Sequence, residues 1–244
     1  MLVSILSVAY NSEKTIARTI ESVLNQTYDN IEYIIVDGLS SDKTVEIAQS
    51  YVEQFKQHTG RSYKIISEKD NGMYDALNKG ARLATGFLVG QINTDDYYEL
   101  DAVEKMVNFY NTNPYDIAWG SLRVLKPTGA MIKHAKIGKL WTTTGWCHPG
   151  MFSKRTILLE MPYALETMYD DFDFITAAHK ANKNIKTIDT IITNFTFGGI
   201  STKKSLKEVK RRIDITYGIY RKYGMSRLYW FHRFALEMAK YILS

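Results

Sequence analysis

Asp95-Asp96 follows a short apolar run and an Asn93-Thr94 pair. Magnesium and manganese commonly bind one or two carboxylates and let substrate phosphates and water complete the octahedron. Adjacent carboxylates in a turn after a buried strand supply such a half-site, and a bound cation there would neutralise charge building on a leaving diphosphate. The same pair could instead shape a turn and cap a helix from Asp101. Asp37, which ends Ile34-Ile35-Val36, can accept hydrogen bonds from a base or ribose; beside Gly38 it is equally a turn residue. The segment Asp70-Asn71-Gly72-Met73-Tyr74-Asp75-Ala76-Leu77-Asn78-Lys79-Gly80 puts Lys79 within reach of a phosphate and opens a helix whose first amides can face an anion. Asp170-Asp171-Phe172-Asp173 opens another helix. A carboxylate there can take a proton as a general base, or simply cap the helix and compensate its dipole. His148, between Trp146 and Pro149, is a candidate for metal, phosphate or acceptor contact, although a lone histidine is more often structural.

These residues need elements to position them. Residues 2–8 form an apolar run that reads as a first strand. Ser12 then precedes a helical stripe of Ile16, Ile20, Val23 and Leu24. Strands are expected at residues 31–36, 63–67 and 87–92, with helices from Asp42 and over residues 72–84. Continuous apolar strands separated by amphipathic helices imply an α/β fold: a mostly parallel, Rossmann-like sheet covered by helices on both faces. Ligands in such sheets bind beyond the carboxyl ends of the strands. Tyr10-Asn11, Asp37 and Asp95-Asp96 fall at those ends. After Pro114 the pattern changes. Residues 116–125 and 131–137 flank Lys126-Pro127-Thr128-Gly129 and predict an antiparallel hairpin. An aromatic stretch (residues 141–148), a helix over 171–181 and a strand over 185–194 follow.

The net charge of +5 is unevenly placed. From Lys203 onward eleven Lys/Arg face three acidic residues, a charge of +8, which leaves −3 on residues 1–202. Basicity confined to the tail argues against nucleic acid as a partner of the main domain. One cysteine, Cys147, excludes an internal disulfide and fits a reducing compartment. No basic segment precedes the first run, and no apolar run approaches the roughly 20 residues of a spanning helix. A cytoplasmic protein is expected. The seventeen tyrosines suit stacking and hydroxyl-lined clefts.

Ser7-Val8-Ala9-Tyr10-Asn11, Ile35-Val36-Asp37-Gly38, Asn78-Lys79-Gly80, Asn93-Thr94-Asp95-Asp96, Asp171-Phe172-Asp173-Phe174 and Gly198-Gly199-Ile200-Ser201 resemble, in order and spacing, the family 2 glycosyltransferases with the GT-A fold. The stretch from Asp70 to Gly80 and the closing Gly-Gly-Ile-Ser are similar to the subgroup acting on bacterial exopolysaccharide, capsule or O-antigen. The resemblance implies transfer of a sugar, with inversion, from a nucleoside diphosphate sugar (UDP by family habit) to a carbohydrate or polyprenyl-linked acceptor. It implies Mn2+ or Mg2+ as cofactor. Tyr10, with Ala9 and Asn11 beside it, would stack near the base and Asp37 would hold it. Asp70, Asp75 and Lys79 join the donor site. Asp95 would contact ribose or metal, Asp96 would bind the metal, and Asp171 would be the general base with Asp170 adjacent. Many members carry an arginine where Leu77 stands, leaving Lys79 or Arg82 to replace it at the diphosphate. Residues 1–112 are then the nucleotide-sugar half and 113–202 the acceptor-side half of one catalytic domain. A sugar nucleotidyltransferase, which usually bears a Gly-rich basic loop after its first strand, and a non-catalytic nucleotide-sugar-binding subunit are the alternatives.

Residues 203–244 form a basic helical tail. Leu206, Val209, Ile213, Tyr217 and Tyr220 make one stripe. Phe231, Phe234, Ala235, Met238 and Tyr241 make a second, flanked by Arg227, Trp230, Arg233 and Lys240. Cations with interfacial aromatics describe a helix lying on the inner membrane surface. The same pattern fits a helical pair packed on the domain or in a homo-oligomer.

Overall fold

The computed structural model describes residues 1–137, 145–198 and 205–243. In chain order the first half is β1 (Val3–Ala9), α1 (Ile16–Leu24), β2 (Ile31–Asp37), α2 (Thr44–Ser50), α3 (Val52–Lys56), β3 (Arg61–Ser67), α4 (Met73–Leu83), β4 (Leu88–Gln91), β5 (Tyr97–Tyr98) and α5 (Ala102–Thr112). The second half is β6 (Ile117–Lys126), β7 (Gly129–Lys133), β8 (Met151–Lys154), α6 (Arg155–Glu160), α7 (Asp170–Lys180), β9 (Ile185–Thr196), α8 (Leu206–Lys222) and α9 (Tyr229–Leu243).

The strands form one sheet in the order β3-β2-β1-β4-β8-β6-β9-β5, with β7 hairpinned onto β6. The first four strands are parallel, as the runs of Val and Ile require. Every residue of β1 is buried because helices cover both faces. Alternate side chains feed two cores. Leu6, Val8, Ile34 and Val36 meet Ala76, Leu77 and Ala81 of α4 on one side. Ile5, Tyr33 and Ile35 meet Ile20, Val23 and Phe55 on the other.

Several elements differ from the sequence expectation. Helix α1 begins at Ile16, and Ser12 contributes its carbonyl, rather than a side-chain cap, to the first turn. The helix expected from Asp42 breaks at Tyr51 into α2 and α3. The four-residue β8 has no counterpart in the sequence reading; it runs antiparallel between β4 and β6 and joins the two halves of the sheet. Helix α7 starts one residue early, at Asp170. Trp141 to Thr144 lie outside the described residues, as do Gly199, Ile200 and Ser201.

Candidate active site

The loops after β1 and β2 are tied to each other at the carboxyl edge of the sheet. Asn11 takes a left-handed conformation, φ 48°, uncommon without glycine. Its amide donates to Ser40 Oγ at 2.8 Å, and its Oδ1 accepts from the Ser41 amide at 2.9 Å. Tyr10, one residue earlier, is turned outward with 67% of its surface exposed, free to meet a planar ring. Ala9 is buried and ends the strand. Asp37 is buried rather than projecting into solvent. It accepts from the Ser40 amide (3.0 Å), the Ser40 hydroxyl and Ser67 Oγ (2.7 Å), and so holds the 38–41 loop. A Cβ on Gly38 would lie 2.6 Å from Asp70 Oδ2, so a larger residue there would push the Asp70 carboxylate aside.

That loop is internally bonded. Asp70 accepts from the Gly72 amide, and Asp75 from the Asn71 amide at the start of α4. Lys79 reaches back to the Lys69 carbonyl (2.6 Å), Glu68 (3.0 Å) and Asp75 (3.7 Å). Its hydrogen bond to Glu68 raises its pKa. Leu77, at the family's arginine position, packs into the core and offers nothing to a diphosphate. Arg82 does not compensate. It lies in the last turn of α4, where its carbonyl accepts from Arg155, whose own amide bonds the Phe87 carbonyl at the amino edge of the sheet. Helix α4 runs back against the strands, so the placement of Arg82 at the diphosphate is corrected: it sits at the opposite edge.

The aspartate pair is held from three sides. Thr94 donates to the Val8 carbonyl or to Ser12 Oγ, Thr19 donates to the Asp96 carbonyl at 2.6 Å, and Arg18 and Thr196 both donate to the Asp95 carbonyl. Asp96 is fully buried. Oδ1 accepts from the Thr196 amide at 2.8 Å, while Oδ2 is buried with no hydrogen-bond partner among the described residues. Burial, and then the charge of half-buried Asp95, push the Asp96 carboxyl well above the usual carboxylate range. Burial likewise raises Asp95, with Arg18 opposing it. An orphan anionic oxygen in such a place is costly unless a cation meets it. Hard oxygen donors are what Mg2+ and Mn2+ prefer, so the residues fit a divalent ion. Among the described residues no group of three or more His, Cys, Asp or Glu is arranged to hold a metal. Such an ion would therefore draw its remaining ligands from phosphate and water.

The two aspartates opening α7 separate cleanly. Asp170 is buried and accepts from the Glu166 amide (3.0 Å), the Thr167 amide (2.8 Å) and the Thr167 hydroxyl (2.9 Å), closing its own loop. Asp171 is half-buried and, among the described residues, its carboxylate accepts from two side chains: Tyr74 Oη donates to Oδ1 and Trp146 Nε1 to Oδ2, both at 3.0 Å. Sequence reading does not find these partners, because Tyr74 and Trp146 are distant in the chain and carry no signal of their own. His148 is buried in the core. Its Nε2 lies 2.9 Å from Gln91 Oε1 and 3.2 Å from Tyr163 Oη in the core, and burial holds its pKa below the ordinary value.

Residues 4–166 match the family described as Glycosyl transferase family 2. The chain is 44% identical over 103 residues to the chondroitin synthase of Escherichia coli, a match covering 42% of this chain and 14% of that protein. It is 27% identical over 220 residues to the PGL/p-HBAD biosynthesis glycosyltransferase of Mycobacterium bovis, covering 87% and 84%. The match spans less than half the length of several curated relatives. Among solved structures, S. aureus TarS 1-349 in complex with UDP-GlcNAc superposes with a TM-score of 0.71 at 16% identity, covering 100% of this chain and 73% of that one. The mannosyltransferase PcManGT from Pyrobaculum calidifontis, in complex with GDP-Man and Mn2+, superposes with a TM-score of 0.64 at 15% identity, covering 99% and 75%. These likenesses establish the GT-A fold. With the family match extending across the carboxyl-edge loops and the aspartate pair, the chain belongs to glycosyl transferase family 2.

Proposed function

We propose that this glycosyltransferase moves a sugar from a nucleoside diphosphate donor, UDP first among the candidates, to a hydroxyl of a carbohydrate or polyprenyl-linked acceptor, with inversion at the anomeric carbon. The observation that carries the reading is the buried, unpartnered Oδ2 of Asp96 at the carboxyl edge of the sheet. Tyr10 stacks on the base, and the 38–41 loop held by Asp37 borders it. Asp96, with Asp95 beside it, would hold Mn2+ or Mg2+; when bound, the ion neutralises the leaving diphosphate. The solved neighbours bound to UDP-GlcNAc, and to GDP-Man with Mn2+, support this class of donor and ion. Lys79 and Asp75 keep the α4 loop in shape, and contact with phosphate falls to the amides at the start of that helix.

Asp171 is the general base. Its carboxylate plane is fixed at both oxygens by Tyr74 and Trp146, and each oxygen keeps a further lone pair for the acceptor hydroxyl. The acceptor oxygen bonds to the anomeric carbon as the bond from that carbon to the diphosphate breaks, and the hydroxyl proton passes to Asp171. Residues 1–112 serve the donor and 113–202 the acceptor in this reading. The test is a transfer assay with UDP-, GDP- and dTDP-sugars, with and without Mn2+, on the parent and Asp171→Asn. Donor binding retained with transfer lost supports the assignment; a variant at full rate places the base elsewhere.

A further inference from the structure

Helix α9 is folded inside out. Its buried side is polar: Arg233 and Glu237, one turn apart, are 2% and 0% exposed. Glu237 bonds Arg212 of α8 at 2.5 Å and both Arg233 and Lys240 at 3.0 Å. Its apolar side is in water. Leu228 just before the helix, with Phe231, Phe234, Tyr241 and Ile242 within it, is 39–72% exposed. Their spacing of three, three, seven and one residues lines them along one face. Trp230 stacks on Phe234, ring centroids 5.2 Å apart at 11°, and so joins that face. The expected stripe of Phe231, Phe234 and Tyr241 is therefore the outer surface of the tail, and Arg233, expected to flank it on the surface, is interior.

A face this apolar on the rim of a folded domain marks a place where something docks. The charge of the same two-helix tail selects the occupant. Lys207, Lys210, Arg211 and Arg221 are exposed on α8, at helical spacing along one side, where they outnumber exposed Asp214 and the Glu208 that pairs with Arg211, and Arg227 is exposed in the turn between the helices. The rest of the chain is net negative. Aromatics beside exposed cations match the acyl-headgroup boundary of an anionic bilayer, where apolar rings insert and lysines and arginines meet lipid phosphates. Among the described residues no helix is long and apolar enough to cross a membrane, so the contact would lie along the surface. We infer that α9 docks the enzyme on an anionic lipid surface through Leu228, Phe231, Phe234, Tyr241 and Ile242, with the exposed cations of α8 and the turn supplying the preference for negative headgroups.

The tail is also fastened to α7: Lys222 Nζ and Tyr223 Oη lie 3.1 and 3.2 Å from Asp173 Oδ2, and Arg233 sits over the Tyr169 ring. Docking through α9 would thus hold the start of α7, with Asp171, at a fixed position over the surface. The exposed face stands independently of the identity of the donor.

The test is co-sedimentation of the full chain with vesicles of phosphatidylcholine alone, and of phosphatidylcholine and phosphatidylglycerol in equal parts. Binding is expected to the anionic vesicles and to weaken with salt. The exposed pair Phe231→Ser/Phe234→Ser is expected to lower the partition coefficient about tenfold or more, since each ring contributes buried apolar area. Lys210→Glu/Arg211→Glu is expected to remove the preference for phosphatidylglycerol. Thermal melts of both variants close to the parent show that the fold persists. Absence of binding to either vesicle overturns the inference. So does a parent that self-associates through this face, seen as a concentration-dependent dimer that Phe231→Ser/Phe234→Ser abolishes while vesicle binding is unchanged.

Discussion

Two carboxylates in this molecule are equally shut off from water and are treated in opposite ways. Glu237 in α9 is surrounded by its own cations. Burial pushes its pKa up, but Arg233, Lys240 and Arg212 outweigh that and hold it below the usual range. Asp96, behind β4, has one backbone amide and no cation on its second oxygen, and burial wins. A buried charge that the chain balances itself is a structural feature; one that it leaves unbalanced is a place for a ligand. The contrast leaves Glu237 holding the tail together, and under the proposed function it makes Asp96 the residue that would hold an ion.

Removing each carboxylate should sharpen that contrast. Glu237→Ala leaves Arg212 and Arg233 facing each other without their shared partner, and is expected to cost about 3–5 kcal/mol of stability in chemical denaturation. Asp96→Asn should leave the metal-free melting temperature close to that of the parent, because burial already favours the neutral form of this carboxyl. It should still reduce transfer about 100-fold or more by loss of charge stabilisation at the leaving group. If the two swap behaviours, the comparison breaks.

Asp171→Asn is expected to lower the rate by about 10²–10⁴ with donor affinity retained, read as kcat in a saturating donor series. Tyr74→Phe and Trp146→Phe each delete one hydrogen bond to the Asp171 carboxylate, worth about 1.5–3 kcal/mol, so a loss of about ten- to a hundredfold in kcat is expected. An unchanged rate in both would show that the carboxylate needs no clamp. The smallest effect concerns His148. Its folded pKa is depressed by burial, so below the unfolded value of about 6.5 the unfolded chain takes up a proton that the folded one refuses. Stability from this group is therefore lost as pH falls below about 6.5. His148→Gln should flatten that part of the melting-temperature profile.

The parallel half of the fold was legible because β1 and β2 are rich in Val, Ile and Leu and buried almost throughout, as double-sided burial requires, while edge strand β3 shows the pattern only at Ile65-Ile66. The carboxyl edge followed from it, and with it Tyr10, Asp37 and Asp95-Asp96. Strand β8 was not legible: four residues after Pro149 carry too little period to read. Arg82 was misplaced because it is a neighbour of Lys79 in sequence, whereas the axis of α4 carries it to the far edge of the sheet. The clamp on Asp171 unites residues 25 and 97 positions away, which only tertiary packing brings together. Helix α9 reads as an amphipathic helix of either polarity, since periodicity locates two faces and does not say which one is inside. Buried Arg233 and Glu237 answer that, and no local signal in the sequence does.

The most direct test of the central claim is a calorimetric titration of Mn2+ into the full chain in the presence of UDP, carried out in parallel on the parent and Asp96→Asn. The account predicts saturable binding of one ion per chain in the parent and its loss in the variant, which melts close to the parent. Equal Mn2+ binding by the two proteins would show that Asp96 is not the ligand and would leave its open oxygen with no cation to meet it.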